Sequence, residues 1–122
     1  MTVCRGIRGA TTCETNTREA IFAATRELFK KMVSANGVVE EQAASVFFTT
    51  TQDLNAAFPA TAVREMGWDR TALMCGHEIA VPGSTGMCIR VLLLVNTDSP
   101  AGDLVNVYLN GAAHLKAEAS QP

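Results

Sequence analysis

Residues 71–96 read TALMCGHEIAVPGSTGMCIRVLLLVN, and their reading decides the fold. Thr71–Ile79 and Met87–Asn96 are strand-like, and VPGSTG (81–86) between them is turn chemistry, so a β-hairpin is the expectation. Counting inward from the turn sets Glu78 about opposite Arg90, each the one charged side chain of its strand. Two readings stay open: a mutually satisfied cross-strand ion pair, or the floor of a polar pocket in which acid and base address different parts of one ligand. Val91–Val95 has no polar alternation, which predicts a strand buried on both faces. The chain offers few helices to cover it, so a second subunit is the expected cover.

Working outward, residues 2–8 (TVCRGIR) form the first predicted strand, broken by Gly9. Asn16-x-x-Glu19 resembles a capping box opening a helix. Ile21, Thr25, Leu28, Phe29 and Met32 recur at helical spacing, and Asn36-Gly37 supplies the stop. Ala44–Thr51 reads as a strand, Phe58-Pro59 as the start of a short helix ended by Gly67, and Ser99-Pro100 as a further one- or two-turn helix. Leu109–Lys116 is assigned to a short last strand, and 117–122 to a flexible tail. The order β-α-β-α-β-β-α-β predicts an α+β fold: one domain over 1–116, with a mixed β-sheet packed against helices on one face.

At 122 residues, 48% hydrophobic and 18% charged, the composition is that of a folded globule. A net charge of −2 gives no bulk attraction for nucleic acid or an anionic membrane, and the five-residue aliphatic run is too short to span a bilayer. The first residues lack the apolar core of a secretion signal, so a cytoplasmic location with reduced thiols is expected for Cys4, Cys13, Cys75 and Cys88. The cysteines have no C-x-x-C spacing and no paired histidines, so no metal is expected. Catalytic triads, phosphate loops and dinucleotide fingerprints are also missing.

What remains is a small set of placed charges. Arg8 ends the first strand between Gly6 and Gly9, where the backbone can approach a ligand closely. Cys75 lies three residues before Glu78 and so faces away from it, unless a bulge near Gly76 brings it round. Tyr108 closes an apolar stretch, ready to pack its ring and bond through its hydroxyl. His77 and His114 have no histidine partners, and Arg5 reads as a surface or inter-subunit residue. By itself this pattern supports a protein that binds a small anionic metabolite.

RGIRGATT (5–12), TQDLNAAFPATAVRE (51–65), CGHE (75–78), CIRVLLLVNTD (88–98) and VYL (107–109) resemble, collinearly over about residues 2–116, the AroH-class chorismate mutases. The resemblance implies a pseudo-α/β-barrel homotrimer with active sites between subunits, rearranging chorismate to prephenate on the route to phenylalanine and tyrosine. It implies that Arg8, Cys75, Glu78, Arg90 and Tyr108 line the pocket from one subunit. Phe58, Ala60 and Arg64 would come from the next, with Leu115 near a closing tail. Thr61 stands where a lysine is often found and Met74 where threonine is common, which touches secondary ligand contacts. The rearrangement is pericyclic, so the resemblance implies no cofactor. The alternatives are a trimeric small-anion-binding protein and an imine-deaminase-like enzyme of similar architecture.

Overall fold

The computed structural model describes residues 1–116; the expected tail at 117–122 lies outside the described residues. Five strands form one mixed sheet: β1 (Val3–Thr12), β2 (Ala43–Thr50), β3 (Ala72–His77), β4 (Cys88–Thr97) and β5 (Val107–Tyr108). Their spatial order is β3-β2-β4-β1-β5. β4 runs antiparallel to β1 and β2, β3 parallel to β2, and β5 parallel to β1. Helices α1 (Arg18–Asn36) and α2 (Pro59–Glu65) pack on each other, α1 against β1 and α2 against β3. The α+β architecture with helices on one face is the one expected.

Helix α1 buries Ile21, Thr25, Leu28, Phe29 and Met32, the stripe read from its periodicity. Gly37, in the left-handed region at φ 61°, ends it. Its start differs from the predicted capping box. Thr17 is the cap, its hydroxyl accepting from the Ala20 N–H at 3.1 Å. Asn16 instead accepts from the N–H groups of Asn55 and Ala56, both at 3.0 Å, and so ties the loop before α2 to the head of α1. Between helices and sheet lies the core, with Ile7, Val46, Phe48, Ile89, Val91, Leu93 and Val95 supplied by the strands.

β3 and β4 are not a hairpin. β2 lies between them, paired in register with both, so the connection 78–87 passes across the end of a strand. A tight hairpin uses roughly two to five loop residues, and this connection is longer, which leaves it free to step over a neighbour. Ala43–Thr50 is suited to the middle place because both its edges find partners.

Gly9 does not end β1, which continues to Thr12. A Cβ there would run into Met32 Sδ and lie 3.1 Å from Leu28 Cδ1, so the glycine lets α1 pack closely on the sheet. The expected last strand over Leu109–Lys116 is also absent. Pairing stops at Tyr108, and Asn110 adopts φ 53°, a left-handed conformation that turns the chain into a 3-10 turn at Asn110–Ala112. Ser99-Pro100 leads only into a 3-10 turn, Ala101–Asp103.

Within one chain, Val91–Val95 is buried on alternate residues, not on both faces. Val91, Leu93 and Val95 enter the core, while Leu92 remains 37% exposed. The face opposite the helices therefore lies open along its centre.

Candidate active site

The open face is defined by strand parity. Gly6, Arg8 and Ala10 of β1 pair with Leu94, Leu92 and Arg90 of β4, which pair in turn with Ser45, Phe47 and Thr49 of β2. Met74 of β3 pairs with Phe47, and Tyr108 of β5 with Ala10. At one end a small cluster of Ala10, Cys88, Ala112 and Leu115, packed against Tyr108, closes over this face. Beside it opens a groove of about 420 Å³ lined by Arg8, Glu78, Arg90, Tyr108 and Leu115. Five residues singled out in the sequence thus meet in one concavity, brought from three strands, the end of β3 and the C-terminal turn.

Glu78 follows β3 directly, its N–H bonded to the Thr50 carbonyl at 2.8 Å. Its carboxylate reaches across β2 towards Arg90, with Glu78 Oε2 at 3.6 Å from Arg90 Nε. Both side chains are about one-third exposed. At that separation they attract without hydrogen bonding, and Arg90 Nε is buried with no hydrogen-bond partner among the described residues. A buried donor without a partner typically costs about 1–3 kcal/mol, so it is a feature that calls for a ligand oxygen. Asn106 Oδ1 accepts from the Arg8 N–H at 2.8 Å, and Asn36 bonds both the N–H and the carbonyl of Val105, at 2.8 and 2.9 Å. These two amides tie the segment carrying Tyr108 to β1 and to α1, supplementing the short β5 pairing.

The start of β4 is latched by Asp53. Its carboxylate accepts from the Met87 N–H at 2.9 Å and from the Thr51 hydroxyl, holding Met87 at φ 49°. The Thr51 hydroxyl, and then the Met87 N–H, keep the Asp53 carboxyl below its ordinary 3.8. A folded-state value below that of the unfolded chain stabilises above the unfolded value and loses this as pH falls through the folded one. Asp53→Asn is therefore expected to flatten the decline of Tm with acidification below about pH 4. Thermal melts between pH 6 and 2.5 read this; a decline parallel to that of the wild type would place the acid-sensitive contact elsewhere.

A second cavity, of about 500 Å³, opens on the helix side and is lined by Phe58 and Cys75 among others. Cys75 pairs with buried Phe48, and the β2–β3 register runs without a bulge, so its thiol stays on the face away from Glu78. Burial pushes the thiol up, while the Ala60 N–H and the Arg64 charge pull it down. Cys75 therefore keeps company with Phe58, Ala60 and Arg64, not with Arg90 as the sequence reading grouped it. Phe58 is 71% exposed, Ala60 is buried and Arg64 is exposed. Met74 is 62% exposed on β3, an edge strand, on the same face of the sheet as Arg90. His77 Nδ1 lies 3.1 Å from the Thr50 hydroxyl, and His114 Nε2 lies 2.9 Å from that of Thr85.

Thr49, Phe47 and Leu92 also line the groove and were not singled out in the sequence. The signal available for them was the two-residue alternation of Ser45, Phe47 and Thr49, which becomes informative once β2 is known to lie between Glu78 and Arg90. Among the described residues no cluster of three or more histidine, cysteine or carboxylate side chains could hold a metal ion.

A one-sided α+β sheet whose open face carries arginines, one carboxylate and a tyrosine in a single groove defines a domain for a small anionic metabolite. The particular family follows from comparison with known proteins. Residues 4–119 match the family model of chorismate mutase type I, and the chain belongs to that family. It is 50% identical over 115 residues to the chorismate mutase AroH of Thermus thermophilus, covering 93% of this chain and 94% of that one. It is 40% identical over 117 residues to the chorismate mutase AroH of Bacillus subtilis, covering 95% and 92%. A solved chorismate mutase from Clostridium thermocellum superposes with a TM-score of 0.87 at 55% identity, covering 88% of this chain and 96% of that structure.

Proposed function

We propose that the groove rearranges chorismate to prephenate with Arg90 as its principal electrostatic group. As a member of the chorismate mutase type I family the protein is an isomerase of aromatic amino acid biosynthesis. The observation that carries the assignment of roles is the buried Arg90 Nε, without a hydrogen bond, beside Glu78 in a groove that also holds Arg8 and Tyr108. The reaction is a Claisen-type shift within one molecule, so the protein's tasks are positioning and charge stabilisation. Arg8 and Tyr108 hold the side-chain carboxylate of the folded substrate. Arg90 grips a carboxylate and donates to the ether oxygen as its bond to carbon lengthens and negative charge grows there. Glu78 accepts from the ring hydroxyl and faces the electron-poor ring fragment. Nothing in this scheme requires a nucleophile, a proton transfer or a cofactor.

The active assembly is a homotrimer with each site shared between subunits. Phe47, Met74 and Leu92 leave an apolar open face of the kind a partner chain covers. The groove holds one half of the inferred contacts, and Phe58, Ala60, Arg64 and Cys75, grouped on the helix side, form the half presented to a neighbour. Phe58 then walls the ligand, Arg64 adds positive potential, and the Cys75 thiol belongs to the presenting half. Residues 1–116 act as one chorismate mutase domain, and Leu115 closes one side of the groove. No helix among the described residues is long and apolar enough to cross a membrane; a cytoplasmic location is inferred for a pathway enzyme of this kind.

The deciding experiment is a chorismate-depletion assay on the purified protein without added metal or cofactor. Prephenate formation is the expected result. Chorismate bound but not converted would instead favour the anion-binding trimer, and hydrolysis of an enamine with indifference to chorismate the deaminase-like reading. For the assembly, light scattering after gel filtration is expected to give three times the chain mass. Leu92→Glu, by placing a carboxylate on the apolar face, is expected to shift that mass towards a single chain and to abolish turnover. A wild-type protein that runs as a monomer at full activity would remove the shared site.

A further inference from the structure

We propose that Thr49 is a positioning residue that keeps Glu78 from closing on Arg90, so that a substrate oxygen can take the Arg90 Nε donor without first breaking a closed ion pair. This rests on the mutase reading of the groove. Thr49 sits on the strand between the two charged groups, paired with Arg90 on one side and with Gly76, two residues before Glu78, on the other. Its hydroxyl donates to Glu78 Oε2 at 3.3 Å. The Ile79 N–H donates to Oε1 at 3.1 Å, so both carboxylate oxygens are engaged before Arg90 is considered.

A carboxylate and a guanidinium free to approach normally close to about 2.7–2.9 Å. Here the contact stops at 3.6 Å, and the Nε donor is left without a hydrogen bond although it is buried. Thr49 accounts for this by anchoring: its hydroxyl on Oε2 and the Ile79 N–H on Oε1 fix where the carboxylate lies, short of Nε, although Oε2 keeps a lone pair for a further donor. A β-branched side chain on a strand has restricted χ1, so the hydroxyl is aimed without much further ordering. The result is an acid and a base both oriented towards the groove, with the donor of the base kept in reserve. A closed pair would satisfy both groups and compete with every anionic ligand.

Thr49→Val keeps the branched shape and strand preference and removes the donor, whereas Thr49→Ser keeps the donor. The valine variant is expected to lower kcat/KM for chorismate by about 10–100-fold while melting within a few degrees of the wild type, and the serine variant to stay within about threefold. Ligand-free crystal structures supply a second readout: in the valine variant the Arg90 Nε to Glu78 Oε2 distance is expected to close to about 2.9 Å. Full activity of the valine variant, equal losses in both variants, or a pair still open in the valine structure would each overturn the proposal. If the valine variant does not fold, Thr49→Ala is measured in its place with the same expectations. If the wild type itself leaves chorismate unchanged, the mutase reading falls, while the distance in the variant structure still decides the role of Thr49.

Discussion

Replacing Arg90 with lysine is expected to lower kcat/KM for chorismate by about 10²–10³-fold with little change in Tm. One preorganised donor aimed at developing charge is typically worth about 3–4 kcal/mol in the transition state, which corresponds to that range. Lysine keeps the positive charge, so a purely long-range attraction for the substrate would survive the change. What it loses is the planar fork, with which one guanidinium can hold a carboxylate and still present an N–H to the ether oxygen. Lysine also removes Nε, the atom the structure leaves buried and without a hydrogen bond. Arg90 and Glu78 are each more than one-third exposed at the side chain, and their contact is not a closed hydrogen bond, so its loss should cost the fold little. Near-normal kcat/KM in the lysine variant would refute the electrostatic account. A collapse of Tm would instead make Arg90 a structural member of the sheet.

The second large effect falls on stability. Phe29→Ala is expected to destabilise the protein by about 3–5 kcal/mol and to lower Tm by on the order of 10 °C or more. Phe29 has no solvent exposure and packs edge to face against Trp68, with ring centroids 4.7 Å apart. Truncation would lose the transfer energy of the ring, leave a cavity that close packing fills only in part, and remove the aromatic contact. Trp68 follows α2, so the same cavity loosens the element that carries Ala60 and Arg64. Differential scanning calorimetry at neutral pH measures this; a fall in Tm below about 5 °C would mean that the core repacks around the gap.

The two substitutions separate along the two faces of the sheet, and the sequence revealed those faces unequally. The helix-facing side was legible. Helical spacing from Ile21 to Met32 marks one core, and β2 and β4 add their alternate apolar residues to it. The open side was harder to read, since its members are separated in the chain and become neighbours only through pairing. Arg8, Glu78, Arg90 and Tyr108 were picked out from the residues and Leu115 through family likeness, and they do meet in one groove. Thr49 was passed over because a threonine in a strand is unremarkable until its neighbours on both sides are known. Cys75 was grouped with Glu78 through family likeness, against its strand parity, and the regular β2–β3 register keeps the two on opposite faces.

The chain by itself determined both helices and the first four strands, the helix stripe, the α+β class and the inventory of charged groups suited to a small anion. These follow from local periodicity, turn chemistry and composition, which act over a few residues. Strand order belonged to the tertiary structure. Whether residues 78–87 make a hairpin or cross the end of β2 depends on which strand offers the better edge, a competition between distant segments that leaves no local mark. That choice changes the meaning of Glu78 and Arg90. Adjacent strands would have made them direct partners; a strand between them, carrying Thr49, holds them 3.6 Å apart with a donor unspent.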